Sequence, residues 1–196
     1  MLNLGFLASN NGSSMRVIVR AIEARTLDAQ ARLVVSNRRD SPALTFAREH
    51  GVATLCIPTV SDPERADEAL AKALAEAGVE LVVLSGYLRK LGPRTLEAYR
   101  NRILNIHPAL LPDFGGQGMY GRRVHEAVAA SGIKSTGATV HIVDGDYDHG
   151  PVVARLDIPL AETDDAEAIE RKVTAAEPAF FVDVLKRIAG GELTLP

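Results

Sequence analysis

Short runs of branched apolar residues alternate with longer helical patterns through the first 85 positions, and this alternation restricts the fold more than any other feature of the chain. LNLGFLA (2–8) precedes a helical pattern near 13–25, ARLVVS (31–36) one near 41–50, and VATLCI (52–57) one near 63–77; VELVVLS (79–85) closes the series. Strands this uniformly apolar are buried on both faces, as happens when helices cover both sides of a parallel sheet. The pattern predicts βαβ units, with right-handed crossovers placing consecutive helices on the two faces. After RILNIH (102–107) the rhythm changes to a Gly-rich loop, a short helix near 122–131, strands near 136–143 and 151–158, and a closing helix near 165–189. The expected fold is one α/β domain over 1–196, parallel in its N-terminal sheet and less regular in its C-terminal part.

Composition narrows the function. The 25 acidic and 22 basic residues leave a formal charge of −3, which creates no field to recruit nucleic acid or an anionic membrane. An anionic ligand therefore needs a local site. The single cysteine, Cys56, excludes an internal disulfide and has no Cys or His companion for a metal cluster, so it is expected in the core. No leader-like segment opens the chain and no apolar run approaches the roughly 18 residues that span a bilayer, which predicts a cytoplasmic protein.

Three stretches could carry chemistry. SNNGSSM (9–15) joins the first strand to the first helix, and Gly12, Ser13 and Ser14 there offer free helix N–H groups and two hydroxyls to an anion. The same residues also suit an ordinary serine cap. SGYLRKLGP (85–93) follows a strand that ends at the same sheet edge, where open α/β sheets bind ligands. There, Pro93 starts a helix and Arg89 and Lys90 are either ligand contacts or simply solvated cations. LNIHP (104–108) sets Asn105 and His107 on one face of a strand. A structural histidine is one reading. The other adds Asp148 from DYDHGP (146–151): Asn105 as an oxyanion donor, His107 as a proton shuttle, and a carboxylate that holds the imidazole and favours its charged form. With no Ser or Cys partner, that trio suits acyl transfer by direct attack of the substrate's own nucleophile.

NIHPxLLP followed by DxxDxGP resembles the formyltransferases that use 10-formyltetrahydrofolate, and the resemblance extends over nearly the whole chain. It implies a Rossmann-like formyltransferase fold, with a nucleotide phosphate site in the N-terminal half and the folate and catalytic site in the C-terminal half. The length and the NGSS turn are most similar to members that formylate the amine of 5′-phosphoribosylglycinamide (GAR) in purine synthesis. The resemblance implies 10-formyltetrahydrofolate as co-substrate, no metal, no nucleic acid or membrane partner, and a monomer or homodimer. By position it implies Asn105, His107 and Asp148 as catalytic residues, with a protonated His107, and Gly12, Ser13 and Ser14 as phosphate ligands. It further implies Glu177 near the glycinamide end, and Leu88, Arg89, Lys90 and Leu91 around the pterin with Asn105. Arg65 lies within one position of an arginine associated with the folate site. A cis Leu111–Pro112 bond is also implied. The chain departs from the usual SGxGSN turn at Asn10 and Ser14, where Asn10 is expected to tolerate positive φ. Thr139 stands where serine is common, and the 113–128 loop is longer than in short members.

Overall fold

A computed structural model describes residues 1–196 and places every predicted strand and helix within a few residues of its expected bounds. The strands are β1 (Leu2–Leu7), β2 (Ala29–Ser36), β3 (Ala53–Cys56), β4 (Leu81–Leu84), β5 (Ile103–His107), β6 (Ser135–Ile142) and β7 (Val152–Pro159). The helices are α1 (Ser13–Glu23), α2 (Pro42–Glu49), α3 (Pro63–Glu76), α4 (Pro93–Ala98), α5 (Arg122–Ser131) and α6 (Ala166–Ala189). Proline opens α2, α3 and α4, where its fixed φ suits a first turn and its missing N–H leaves no orphan donor.

All seven strands join one sheet in the order β3-β2-β1-β4-β5-β6-β7. The pairs from β3 to β5 are parallel, whereas β5–β6 and β6–β7 are antiparallel, so the irregular C-terminal part is an antiparallel extension of the same sheet. Strand residues alternate between two cores. Leu4, Phe6, Val34, Leu81, Val83 and Leu104 face α1, α2 and α6, while Leu7, Leu33, Val35, Val82, Leu84 and Ile103 face α3 and α4. This corrects the expectation that consecutive helices take opposite faces. β1, β2 and β3 run outward in one direction, so their right-handed connections put α1 and α2 on the same side; only the return to β4 moves α3 across. The order reverses between β1 and β4, and the two loops leaving those strands face each other at the switch point.

Cys56 departs from its expected place: it ends the edge strand β3 and is only partly buried. No helix is long and apolar enough to cross a membrane.

Candidate active site

The first turn is built by its neighbours. Gly12 caps α1 in the left-handed region (φ 63), where an added Cβ would also sit 2.9 Å from the Met15 side chain. Neither serine caps the helix: no side chain does, Ser14 is buried and Ser13 is exposed, so the plain capping reading fails. Asn10 is not in the positive-φ region, so the turn does not call on its tolerance of that geometry. Its carbonyl accepts from Ala43 N (3.0 Å) and Ser41 Oγ (2.7 Å), and its side chain accepts from Arg38 (2.8 Å). Asn10 thus holds the turn by hydrogen bonds rather than by unusual backbone geometry.

The loop after β4 is locked to that turn. Ser9 N donates to Gly86 O (3.1 Å), Leu88 N to Ser9 Oγ (2.8 Å) and Met15 N to Ser85 Oγ (3.0 Å). At its far end, buried Asp67 accepts from Arg94 N (2.8 Å) and Thr95 N (3.0 Å), a side-chain cap supplied to α4 from α3. Between these anchors Leu91 is buried, Leu88 is 61% exposed, and Arg89 and Lys90 are exposed. Lys90 lies 5.8 Å from the Tyr147 ring centroid, a cation–π contact that brings this loop to the segment carrying Asp148.

Asn105, His107 and Asp148 do converge, around a fourth residue that sequence reading missed. Asn105 pairs with His141 across the β5–β6 ladder, its Nδ2 3.2 Å from His141 Nε2. Asp148 Oδ1 lies 3.4 Å from that same Nε2, and Asp148 Oδ2 lies 3.4 Å from His107 Nδ1. His141 Nδ1 donates to Ile142 O (2.9 Å), leaving Nε2 to face both the amide and the carboxylate. The signal for His141 was available: ATVHIV is a buried apolar strand interrupted by one imidazole, as LNIHP is. Asp148 adopts φ 56, uncommon for a non-glycine residue, and accepts from Gly116 N (3.1 Å). Gly115 keeps that loop close, since an added Cβ would meet Leu111 at 2.4 Å and the Asp148 Cβ at 3.2 Å.

Electrostatics correct the expected charge state. His107 is 3% exposed, and burial lowers its pKa below the usual histidine value despite the opposing pull of Asp148 and of the Phe114 carbonyl, with His141 adding to the lowering. At rest the ring is therefore not held as an imidazolium. Its Nε2 donates to Phe114 O at 2.7 Å. Burial pushes Asp148 upward, but the neighbouring His141 and His107 rings and the Gly116 N–H together bring it below the ordinary carboxylate range, so it is ionised. Asp148, with Pro112, Gly115, Gly116 and Gly150, lines an open cleft of about 160 Å³, which His107 reaches through its 3.4 Å approach to Asp148.

The remaining predicted residues divide. Thr139 Oγ1 donates to Ala109 O (2.7 Å) and accepts from Leu111 N (3.0 Å), fixing the chain after His107, and the Leu111–Pro112 bond is cis. Glu177 lies in α6, which packs against both α1 and α5, and burial raises its carboxyl to about 7. Arg65 is exposed in the first turn of α3 and makes no ion pair. It is not brought to the Asn105 cluster; its neighbours Pro63 and Ala66 line a separate cleft with Arg89 and Lys90.

An α/β sheet whose switch-point loops meet an Asn–His–His–Asp cluster at the carboxyl ends of its strands has the layout of an open-sheet protein that binds its ligand at that edge. The formyl transferase family pattern matches residues 2–185, and the chain belongs to that family. It is 32% identical over 192 residues to phosphoribosylglycinamide formyltransferase of Bacillus subtilis, covering 97% of this chain and 96% of the relative. It is 35% identical over 189 residues to the chloroplastic enzyme of that name from Arabidopsis thaliana, covering 94% of this chain; the chain spans about 64% of that relative's length. Among solved structures, glycinamide ribonucleotide transformylase 1 from Symbiobacterium toebii superposes with a TM-score of 0.88 at 32% identity, covering 100% of this chain and 91% of that one.

Proposed function

We propose that the protein transfers the formyl group of 10-formyltetrahydrofolate to the amine of GAR, yielding N-formylated GAR and tetrahydrofolate. The convergence of Asn105, His107 and Asp148 beside the switch-point loops carries this reading. The neutral amine attacks the formyl carbon and a tetrahedral oxyanion forms. One N–H of Asn105 faces His141 and the second is free to donate to that oxygen. His107 Nε2–H supplies the other donor, with the oxyanion replacing the Phe114 carbonyl that now accepts it. Negative charge developing there offsets the burial that keeps the ring neutral at rest, so His107 Nδ1 takes a proton through Asp148 from the ammonium that the attack creates, and holds it beside the oxyanion until N10 accepts it. Asp148 holds Nδ1 and, facing the cleft, assists the proton from the amine to N10 of the folate as the C–N10 bond breaks.

In this reading Gly12, Ser13 and Ser14 hold the GAR phosphate, Glu177 serves the glycinamide end, and Leu88 to Leu91 hold the pterin, with Arg65 at the folate's outer end. Each site role here rests on position in the family motif; for residues 12–14, 88–91, Asn105, His107 and Asp148 the meeting of the switch-point loops with the cluster supports it as well. None of these roles calls for a metal. The test is the dependence of turnover on GAR. Folate deformylation should require GAR and yield one N-formyl product per tetrahydrofolate. Formate release at the same rate without GAR would replace the proposal with a hydrolase.

A further inference from the structure

Resting on the reading that residues 12–14 hold the substrate phosphate, we infer that Arg16 is a positioning residue that presets the phosphate turn. Its Nε donates to Asn11 O (2.8 Å) and its terminal nitrogen to Pro42 O (3.1 Å), bridging the turn to the start of α2. The guanidinium also stacks 4.7 Å from the Phe46 ring centroid, which fixes the side chain's path.

The consequence follows from peptide geometry. A trans peptide is planar, with its carbonyl and the next N–H pointing in opposite directions. Arg16 holds the Asn11 carbonyl, so the Gly12 N–H is fixed on the opposite side of that peptide. Ser41 and Ala43 hold the Asn10 carbonyl, which likewise fixes the Asn11 N–H on the opposite side of its peptide. These two amides and those of Ser13 and Ser14 donate to no protein group, while Met15 N is already taken by Ser85. Left-handed Gly12 between them completes a concave run of N–H donors of the kind that accepts an anion. Without Arg16 the Asn11 peptide can rotate, placing a carbonyl where the phosphate needs a donor.

The experiment compares wild type with Arg16→Met and Arg16→Lys in steady-state kinetics, with inorganic phosphate as a competing probe and isothermal titration of phosphate alone. Arg16→Met should raise KM for GAR and weaken phosphate binding by roughly tenfold, the size of one charge-assisted hydrogen bond, with kcat and the folate KM within about twofold. Arg16→Lys, which cannot reach both carbonyls from two nitrogens, should recover part of this. A folded variant with unchanged GAR KM and unchanged phosphate affinity overturns the inference, as does equal loss of GAR and folate affinity. Failure of the functional reading would look different: wild type itself would show no GAR-dependent turnover.

Discussion

Asp148→Asn removes one charge from a carboxylate that touches two imidazoles and leaves the side chain's shape almost unchanged. Asp148 is 12% exposed and sits 3.4 Å from His107 Nδ1. At an effective dielectric constant of about 20, that separation corresponds to about 5 kcal/mol between an imidazolium and a carboxylate. If His107 gains charge only as the oxyanion forms, most of this energy belongs to the transition state. The expected loss in kcat is therefore roughly 10²- to 10⁴-fold, with both KM values little changed. The new amide oxygen can still accept from Gly116 N, so the 113–121 loop should keep its place. Since Asp148 is the main influence opposing burial at His107, the histidine's pKa should move further down, measured by NMR titration beside steady-state kinetics. A full-rate variant, or an unmoved His107 titration, would refute the coupling.

Other outcomes follow from the same geometry. His141→Phe, at a site 2% exposed, keeps the packing but frees the Asn105 amide, and kcat should fall by about tenfold to a hundredfold with substrate affinities retained. Thr139→Val strands Ala109 O and Leu111 N, and should lower unfolding stability by about 2 kcal/mol or more in denaturant titrations. Glu177 should make stability pH-dependent in the sense opposite to an ordinary ion-paired carboxylate. The unfolded chain releases its proton near 4.5 whereas the fold retains it to about 7, so its contribution is complete below pH 4.5 and disappears as pH rises to 7. Glu177→Gln should then stabilise the protein by up to about 3 kcal/mol at pH 8 and hardly at all at pH 4.5, read from unfolding midpoints.

The parallel half of the fold was legible because buried strands and amphipathic helices carry different periods, and Pro93 marks where α4 begins. Helix faces were not, since they depend on strand order, which no local pattern encodes. Asn105 and His107 stood out as polar groups in an apolar strand. His141 had the same signature but joins the site only through the β5–β6 register, a non-local pairing. The charge state of His107 was misread for a related reason: a nearby carboxylate is visible in the motif, whereas the depth of burial that outweighs it comes from the assembled sheet and loop. The tie between Asp67 and α4 was equally hidden, because it spans 28 residues and leaves no mark beyond a single acid in a helix.

The central claim is that LNIHP and DYDHGP form one catalytic unit, and a double-mutant cycle tests it most directly. Single-turnover transfer of labelled formyl from 10-formyltetrahydrofolate to GAR is measured for His107→Gln, Asp148→Asn and the double variant. Groups acting as a unit lose their function together, so the double variant should be no slower than the worse single variant by more than a few-fold. Losses that multiply would mean that His107 and Asp148, 3.4 Å apart, act independently, and the mechanism built on their contact would be wrong.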